Sequence, residues 1–300
     1  MNKALDYFTQ AIVHDPGYSK AYVGLADSYN LLREFSAMPP SEAFPRALAA
    51  AKKAVELDDR SAEAHTSLAF ALLYANLDQV GAEREFKRAI ELDPNDGQAH
   101  HWYATALLAF GRPEEALKEI EIAQKLDPGS KAVLADKGII LYSAGQPDAA
   151  VTLLNQIEAS DPSFVSPHRY LSVIAYQRKD YPGYFAEWKK TAIATEDTKD
   201  LSVEEAAETG FAAGGFHGMV EGMLPIQKQL YLQGSLGAYP LAQTYALLGK
   251  KAEALQFLRD AYNQRDMGFL YLHGDSAFND LHDEPAYKDL MALDALPRTK

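Results

Sequence analysis

Large and small apolar residues recur along this chain at steps of three and four, the spacing that gathers side chains on one face of an α-helix at about 100° per residue. Three segments show the frame most clearly: ALDYFTQAIVHDP, AEREFKRAIELDP and EALKEIEIAQKLDP. Each has a small residue, a bulky apolar residue four positions on, alanine three after that, and then Asp-Pro. Proline cannot continue a helix and pushes the residue before it out of the helical region, so each Asp-Pro predicts a helix end. Between one Asp-Pro and the next small residue lies a second apolar pattern, as in AYVGLADSY, AHHWYATALLAFG and KAVLADKGIILYSAG. The chain therefore reads as two alternating kinds of helix, A and B, and Pro94, Pro128 and Pro162 repeat the pair every 34 residues.

Counted from the first residue of helix A, positions 4, 7, 8 and 11 fall within one narrow arc. In successive units these are Tyr22, Leu25, Ala26, Tyr29; His65, Leu68, Ala69, Leu72; and His100, Tyr103, Ala104, Leu107. They form the predicted buried stripe, with position 8 small where two helices cross. Helix B is expected to turn Ala82, Phe86 and Ala89, or Ala116, Ile120 and Ala123, inward. Gly111 and Gly145 stand where a left-handed residue would end helix A.

These features resemble the tetratricopeptide-repeat (TPR) family, whose signature runs W-x2-L-G-x2-Y, then A-x3-F, then P at a 34-residue period. Most units match the A-x3-F/apolar, alanine and proline elements, over roughly residues 3 to 196. The resemblance implies an all-α fold, a TPR α-solenoid in which antiparallel helix pairs wind into a right-handed superhelix with a helical C-terminal cap. It divides the chain into a TPR array over 1–196, opening with helix B of a truncated repeat and followed by about five repeats; a degenerate helical pair and final TPR-like repeat over 197–264; and a capping segment over 265–300. The first full repeat, Ser19 to Asp59, has an inserted loop at 33–42 containing Pro39 and Pro40, and Asp59 replaces its terminal proline. The repeat from Val165 to Glu196 departs further, with Tyr184 at a small position and Glu196 at the proline. Gly214-Gly215 predicts a break between two helices, and Pro225 an interruption or kink in the second.

The Pro-Pro insertion, the HHWYA helix and an ending of the form RD…FLYL…EPAY together resemble the C-terminal TPR region of bacterial regulators that carry a winged-helix, cyclase or kinase domain. No motif of those domains is present in this sequence. The chain opens on a helix B, Lys3 to His14, with no helix A before it, so weak self-association through that end is expected.

Composition narrows the chemistry. There are no cysteines, which excludes disulfides, thiolate metal sites and cysteine nucleophiles. A formal net charge of −13 opposes a phosphate backbone, so nucleic acid is not an expected partner. No leader-like segment opens the sequence and no apolar run approaches the length of a membrane span. A cytoplasmic location is expected, or a periplasmic one if the chain serves a membrane-anchored regulator.

In TPR proteins helices A line a concave face, and positions 2, 5, 9 and 12 lie off the buried stripe. The expected partner-binding groove comprises Asn30, Phe70, Tyr74, His101, Thr105, Tyr142, Arg169 and Tyr176. Phe70, Tyr142 and Tyr176 also admit a reading as packing between helices, and Arg169 one as a solvated charge. TPR domains that clamp a carboxylate use Lys and Asn at positions 5 and 9; Val23 and Asp27 here disfavour that activity. His65, His100 and His168 share position 4 of separate units, which reads as packing and not as a metal site. His273, Asp275, Ser276, His282 and Asp283 hold the residue types of a hydrolase triad, but read better as helix caps. No catalytic or cofactor motif is present. The expectation is a non-catalytic scaffold that binds a protein or peptide, without cofactor, with a sensory module of a bacterial regulator as the alternative.

Overall fold

Each Asp-Pro step ends a helix. In the computed structural model, which describes residues 2–35, 38 and 40–294, α1 (Asn2–His14), α5 (Gln79–Leu92), α7 (Pro113–Leu126) and α9 (Pro147–Ser160) all stop immediately before one. Asp93, Asp127 and Asp161 sit at φ −140°, −132° and −151°, the extended backbone that a following proline enforces. The pairs that turn at Leu77, Gly111, Gly145, Lys179 and Gly249 are closed at the other end by a left-handed residue. Gly111 and Gly145 adopt φ +72° and +77° as expected, and Gly249 does the same at +70°. Among the described residues there is no strand, and the fold is an all-α TPR solenoid type.

Two compact units divide the chain at Val133/Leu134. In the first, α2 (Ser19–Phe35) pairs with α3 (Pro40–Leu57), α4 (Ala62–Asn76) with α5, and α6 (Gly97–Ala109) with α7, while α1 packs on α2. The helices A, α2, α4 and α6, also touch one another in succession. Connections of a few residues make the paired helices antiparallel. The sequence expected a loop at 33–42; instead α2 reaches Phe35 and α3 begins at Pro40, and residues 36, 37 and 39 lie outside the described residues.

The division falls within α8 (Lys131–Ser143), and the second unit contains α9, α10 (Val165–Gln177), α11 (Tyr181–Ala194), a long helical hairpin α12 (Thr198–Leu232), α13 (Ala238–Leu247) and α14 (Lys251–Gln264). Two 3-10 segments, Met267–Gly274 and Ser276–Leu281, and α15 (Pro285–Asp294) follow. Phe269, Leu270, Leu272, Phe278 and Leu281 from these segments are buried, so they pack as part of the unit. The hairpin turns at Gly214 and Gly215, the only non-helical residues within α12. Pro225 does not interrupt it: the second limb continues to Leu232. The limbs approach so closely that a Cβ built on Gly210 would meet the Gly218 carbonyl oxygen, and one on Gly222 the Ala206 oxygen.

The core follows the predicted stripe. Ala82, Phe86, Ala89, Ala116, Ile120 and Ala123 are fully buried, as are Ala26, Ala69 and Ala104 at position 8. Burial of a side chain the size of Phe86 or Ile120 contributes about 2–3 kcal/mol, so the repeating stripe accounts for much of the stability. In α8 position 8 is Gly138, and Leu154 of α9 sits directly on it. At Tyr184, which stands at a small-residue position, the Ser172 hydroxyl donates to the backbone carbonyl at 3.2 Å and the ring packs 5.2 Å from those of Tyr176 and Trp188. Among the described residues no helix is long and apolar enough to cross a membrane.

Candidate protein-interaction face

Helix A supplies the side chains that pack and those that remain accessible, and burial separates the two. Asn30 and Tyr74 differ from the expected groove, at 0% and 2% exposed, and Phe70, at 4%, follows its reading as packing between helices. Phe70 lies 4.5 Å, ring to ring, from both Tyr74 and Trp102 of the next helix A, while Phe44 of α3 stacks on Tyr74. Asn30 donates from Nδ2 to the Ser67 carbonyl at 3.4 Å. These three residues join neighbouring helices instead of facing outward.

The remaining predicted residues stay accessible. In the first unit His101 and Thr105 are half-buried on α6. In the second, Tyr142 is half-buried with the Arg178 guanidinium 5.9 Å from its ring centroid, and Arg169 is exposed. Val173, 42% exposed, lies one turn beyond Arg169 on the same face of α10, and half-buried Tyr176 follows. Tyr176 belongs to an aromatic group with Tyr184 and Phe216, its ring 5.2 Å and 6.5 Å from theirs. Burial pushes its hydroxyl up to about 12, so it remains a neutral donor.

Positions 2, 5 and 9 of the first unit build a polar cavity that the choice of site residues did not include. Val23, Asp27, Glu63, Thr66, Asp96 and Gln98 contribute to its wall, and its volume is about 400 Å³. Asp27 accepts from the Ser67 hydroxyl at 2.5 Å and from Gln98 Nε2 at 3.1 Å, tying α2, α4 and α6 together. Burial pushes its carboxyl up to about 6, the two hydrogen bonds oppose that rise, and the charges of Asp96 and Glu63 add to it.

The position-4 histidines form a repeated clasp. Nδ1 of His65, His100 and His168 lies 2.7, 2.6 and 2.8 Å from Glu85, Glu119 and Glu187 respectively, each on the following helix B. Nε2 of each faces a backbone carbonyl six residues earlier, at 3.0, 3.1 and 3.0 Å. Glu158 completes a trio with His168 and Glu187 whose ligand atoms all lie within 4.8 Å of one another. The Lys190 ammonium sits 2.7 Å from both carboxylates, so the cation of this cluster is supplied by the chain itself. Its arrangement is that of an ion-pair lock joining α9, α10 and α11.

Of the triad residue types at the C-terminal end, Asp275 is engaged structurally. Asp275 caps the segment that follows, accepting from Ala277 N at 2.9 Å, and also accepts from Tyr239 Oη at 2.8 Å and Gln243 Nε2 at 2.6 Å. Pro285 opens α15, as its position after Asp283-Glu284 predicts.

Family models of the tetratricopeptide repeat match residues 85–118, 135–187 and 236–260, so the chain carries such repeats in both units. Comparison with curated proteins finds no match. Among solved structures, a monomeric IFIT1 mutant with Gppp-AAAA is similar at 17% identity and a TM-score of 0.62, over 97% of this chain and 67% of that one. The APC/C hetero-tetramer Cut9-Hcn1 is similar at 16% identity and 0.60, over 97% and 52%. A thermophilic TPR protein of Thermus thermophilus is similar at 18% identity and 0.53, over 64% and 98%. At these identities the likeness concerns the fold.

Proposed function

We propose that this protein is an interaction scaffold that binds a protein or peptide partner along the helix-A side of its repeats. The observation that carries the reading is the surface of α10. Exposed Arg169, exposed Val173 and half-buried Tyr176 lie at steps of four and three on one helical face, joining a cation, an aliphatic group and an aromatic group. Such a surface combines desolvated contact with a group that fixes orientation, the mixture characteristic of partner binding. Tyr142 of α8, with Arg178 over its ring, contributes a further anchor in this unit. His101 and Thr105 hold the corresponding positions on α6 of the first unit.

Selection of displayed peptides on the full chain, followed by affinity measurement on Tyr142→Ala/Arg169→Ala, tests the proposal. Peptides that bind the wild type should lose at least tenfold in affinity, about 1.4 kcal/mol, in the double variant while its thermal unfolding stays cooperative. Equal affinity for both proteins overturns the assignment of this face.

A further inference from the structure

Glu204, on the first limb of α12, is a fully buried acid, 0% exposed, and neither of its carboxyl oxygens has a hydrogen-bond partner. The cation beside it is Lys189 of α11, whose ammonium lies 3.9 Å from Oε2, beyond hydrogen-bond reach, and 4.0 Å from exposed Glu208 one turn further on. Val203 and Ala207 flank it in sequence and belong to one buried core with Phe185 of α11 and Met219, Val220 and Met223 of the second limb, so the limb is packed against apolar side chains on both sides. One turn earlier, Asp200 accepts from Trp188 Nε1 at 2.9 Å across the same seam. That acid has the partner that Glu204 lacks. Buried polar groups are ordinarily satisfied, and leaving a carboxylate without a hydrogen bond costs far more than leaving the neutral acid so. Burial accordingly pushes the Glu204 carboxyl up; Lys189 opposes the rise, and Glu208, Glu205 and Asp200 of its own limb add to it. From α11 the Tyr184 hydroxyl also stands near, its proton held in place by burial. On the second limb His217 and Glu221, both exposed, pair with each other at 3.3 Å.

We propose that Glu204 is a pH gate on the seam between α11 and the first limb of α12: protonated, its carboxyl stays within the seam, and ionised, it opens the seam to water. The two limbs of the hairpin are not the side that yields, because each lies against the other's backbone at Gly210 and Gly222 with no room for a Cβ. Beyond the second limb, the Thr244 hydroxyl donates to Gln227 at 2.6 Å in a buried bond that holds the hairpin to α13. The α11 side is joined by the Trp188 bond to Asp200 and by ring contacts, with Phe211 4.7 Å from Tyr181 and 5.6 Å from Phe185. Lys189, its side chain 44% exposed, marks the edge at which water reaches the carboxyl when the seam parts. Because burial raises the carboxyl, its contribution to the seam is fully present below the unfolded value of about 4.3 and is lost as pH rises through the folded value. The seam also bears on the α10 face, since Phe216 beside the hairpin turn lies 5.9 Å from Tyr181 and 6.5 Å from Tyr176. The gate does not depend on the scaffold reading, and the test reads the seam itself.

The test is amide hydrogen exchange of the full chain, read by mass spectrometry at pH 5 and pH 8 and corrected for the pH dependence of the intrinsic rates. Protection of α11 and of the first limb of α12 should fall several-fold from pH 5 to pH 8, while α13 and α14 keep theirs. Glu204→Gln, which preserves the shape and removes the charge, should take away most of the fall; Asp200, also raised by burial, accounts for what remains. Lys189→Met should enlarge the fall several-fold, because the carboxylate then loses the cation that opposes its rise. Thermal unfolding of each variant establishes that it is folded. Lys189 is part-exposed, so its replacement disturbs little packing and decides the matter even where the Gln variant does not fold. Wild-type protection that is the same at both pH values overturns the gate. An equal fall in the wild type and Glu204→Gln, or in the wild type and Lys189→Met, overturns it as well. So does a fall shared equally by α13 and α14, which would be loss of the whole unit and not opening of this seam.

Discussion

His100 bridges Glu119 and the Pro94 carbonyl, so a single imidazole joins helix B of its own repeat to the Asp-Pro turn that introduces it. Both ring nitrogens face acceptors, an arrangement that favours the doubly protonated ring. His65 is placed the same way, and the glutamate hydrogen bond, opposed by burial, pushes both histidines above their usual value. Glu85 is held below the usual carboxylate range by its bond to His65. The stabilisation from the histidines is complete below the unfolded value of about 6.5 and is lost as pH rises through their raised folded values. That from Glu85 is present above about 4.3 and is lost as pH falls through its lowered value. The melting temperature should therefore decline from pH 6 toward pH 9. His65→Gln/His100→Gln should reduce stability at pH 6 by about 1–2 kcal/mol per clasp, lowering the melting temperature there and flattening the profile. Circular-dichroism melts across that range check this, and a wild-type profile as flat as the variant's would contradict it.

Asp27 acts in the same direction as the histidines and opposite to Glu85. Its folded carboxyl is raised to about 6 by burial, so between its unfolded value and that point the native state binds more protons than the unfolded chain. Its contribution is fully present below the unfolded value and declines as pH rises. Asp27→Asn should stabilise the protein at pH 7 by about 1–2 kcal/mol and leave it nearly unchanged at pH 3.5. Urea denaturation at the two values measures the difference.

The hairpin of α12 distinguishes two kinds of glycine. Gly210 faces the Gly218 carbonyl across the limbs, where an added Cβ would lie 2.1 Å from the oxygen. Gly214 at the turn has negative φ and nothing within 4 Å of such a Cβ. Gly210→Ala should cost more than about 2 kcal/mol and Gly214→Ala less than about 1 kcal/mol. Chemical denaturation of the two variants decides, and equal cost would mean that the limbs can part freely.

Lys179 occupies the left-handed position that glycine fills at Gly111, Gly145 and Gly249, with φ +60° and the same pair of backbone bonds, here from Lys179 N to Tyr176 O and from Asp180 N to Ala175 O. A side chain there carries strain that glycine avoids. Lys179→Gly should raise stability by about 0.5–1 kcal/mol, visible as a higher urea midpoint. Its side chain is exposed, so no packing is lost.

What the sequence made legible was local and periodic. Ala82, Phe86 and Ala89 declare an inward face through their own spacing, and Asp93-Pro94 declares an end through backbone sterics. Tyr74 was misplaced, and Phe70 left between two readings, because helical angle alone does not reveal what covers a face; Phe44 of α3 and Trp102 of the next repeat cover this one. The cavity at Asp27 was missed for a related reason: its wall gathers residues from Val23 to Gln98, and the bond from Gln98 to Asp27 spans 71 positions. The glutamate partners left a readable trace, standing 20, 19 and 19 residues after their histidines, but the trace acquires meaning only once helix B lies against helix A.

Because Asp-Pro closes one end of a pair and a left-handed residue the other, the stretch from Pro94 to Pro162 is built in self-terminating steps of 34 residues. Its length is consequently quantised. Duplicating or excising one whole step, such as residues 97–130, leaves every remaining helix with its own start and stop, whereas a change of ten or twenty residues would strand half a pair and its uncovered stripe. Insertions between steps are the ones such a chain can absorb in bulk, and reach can be lengthened rung by rung without redesigning any interface within a rung.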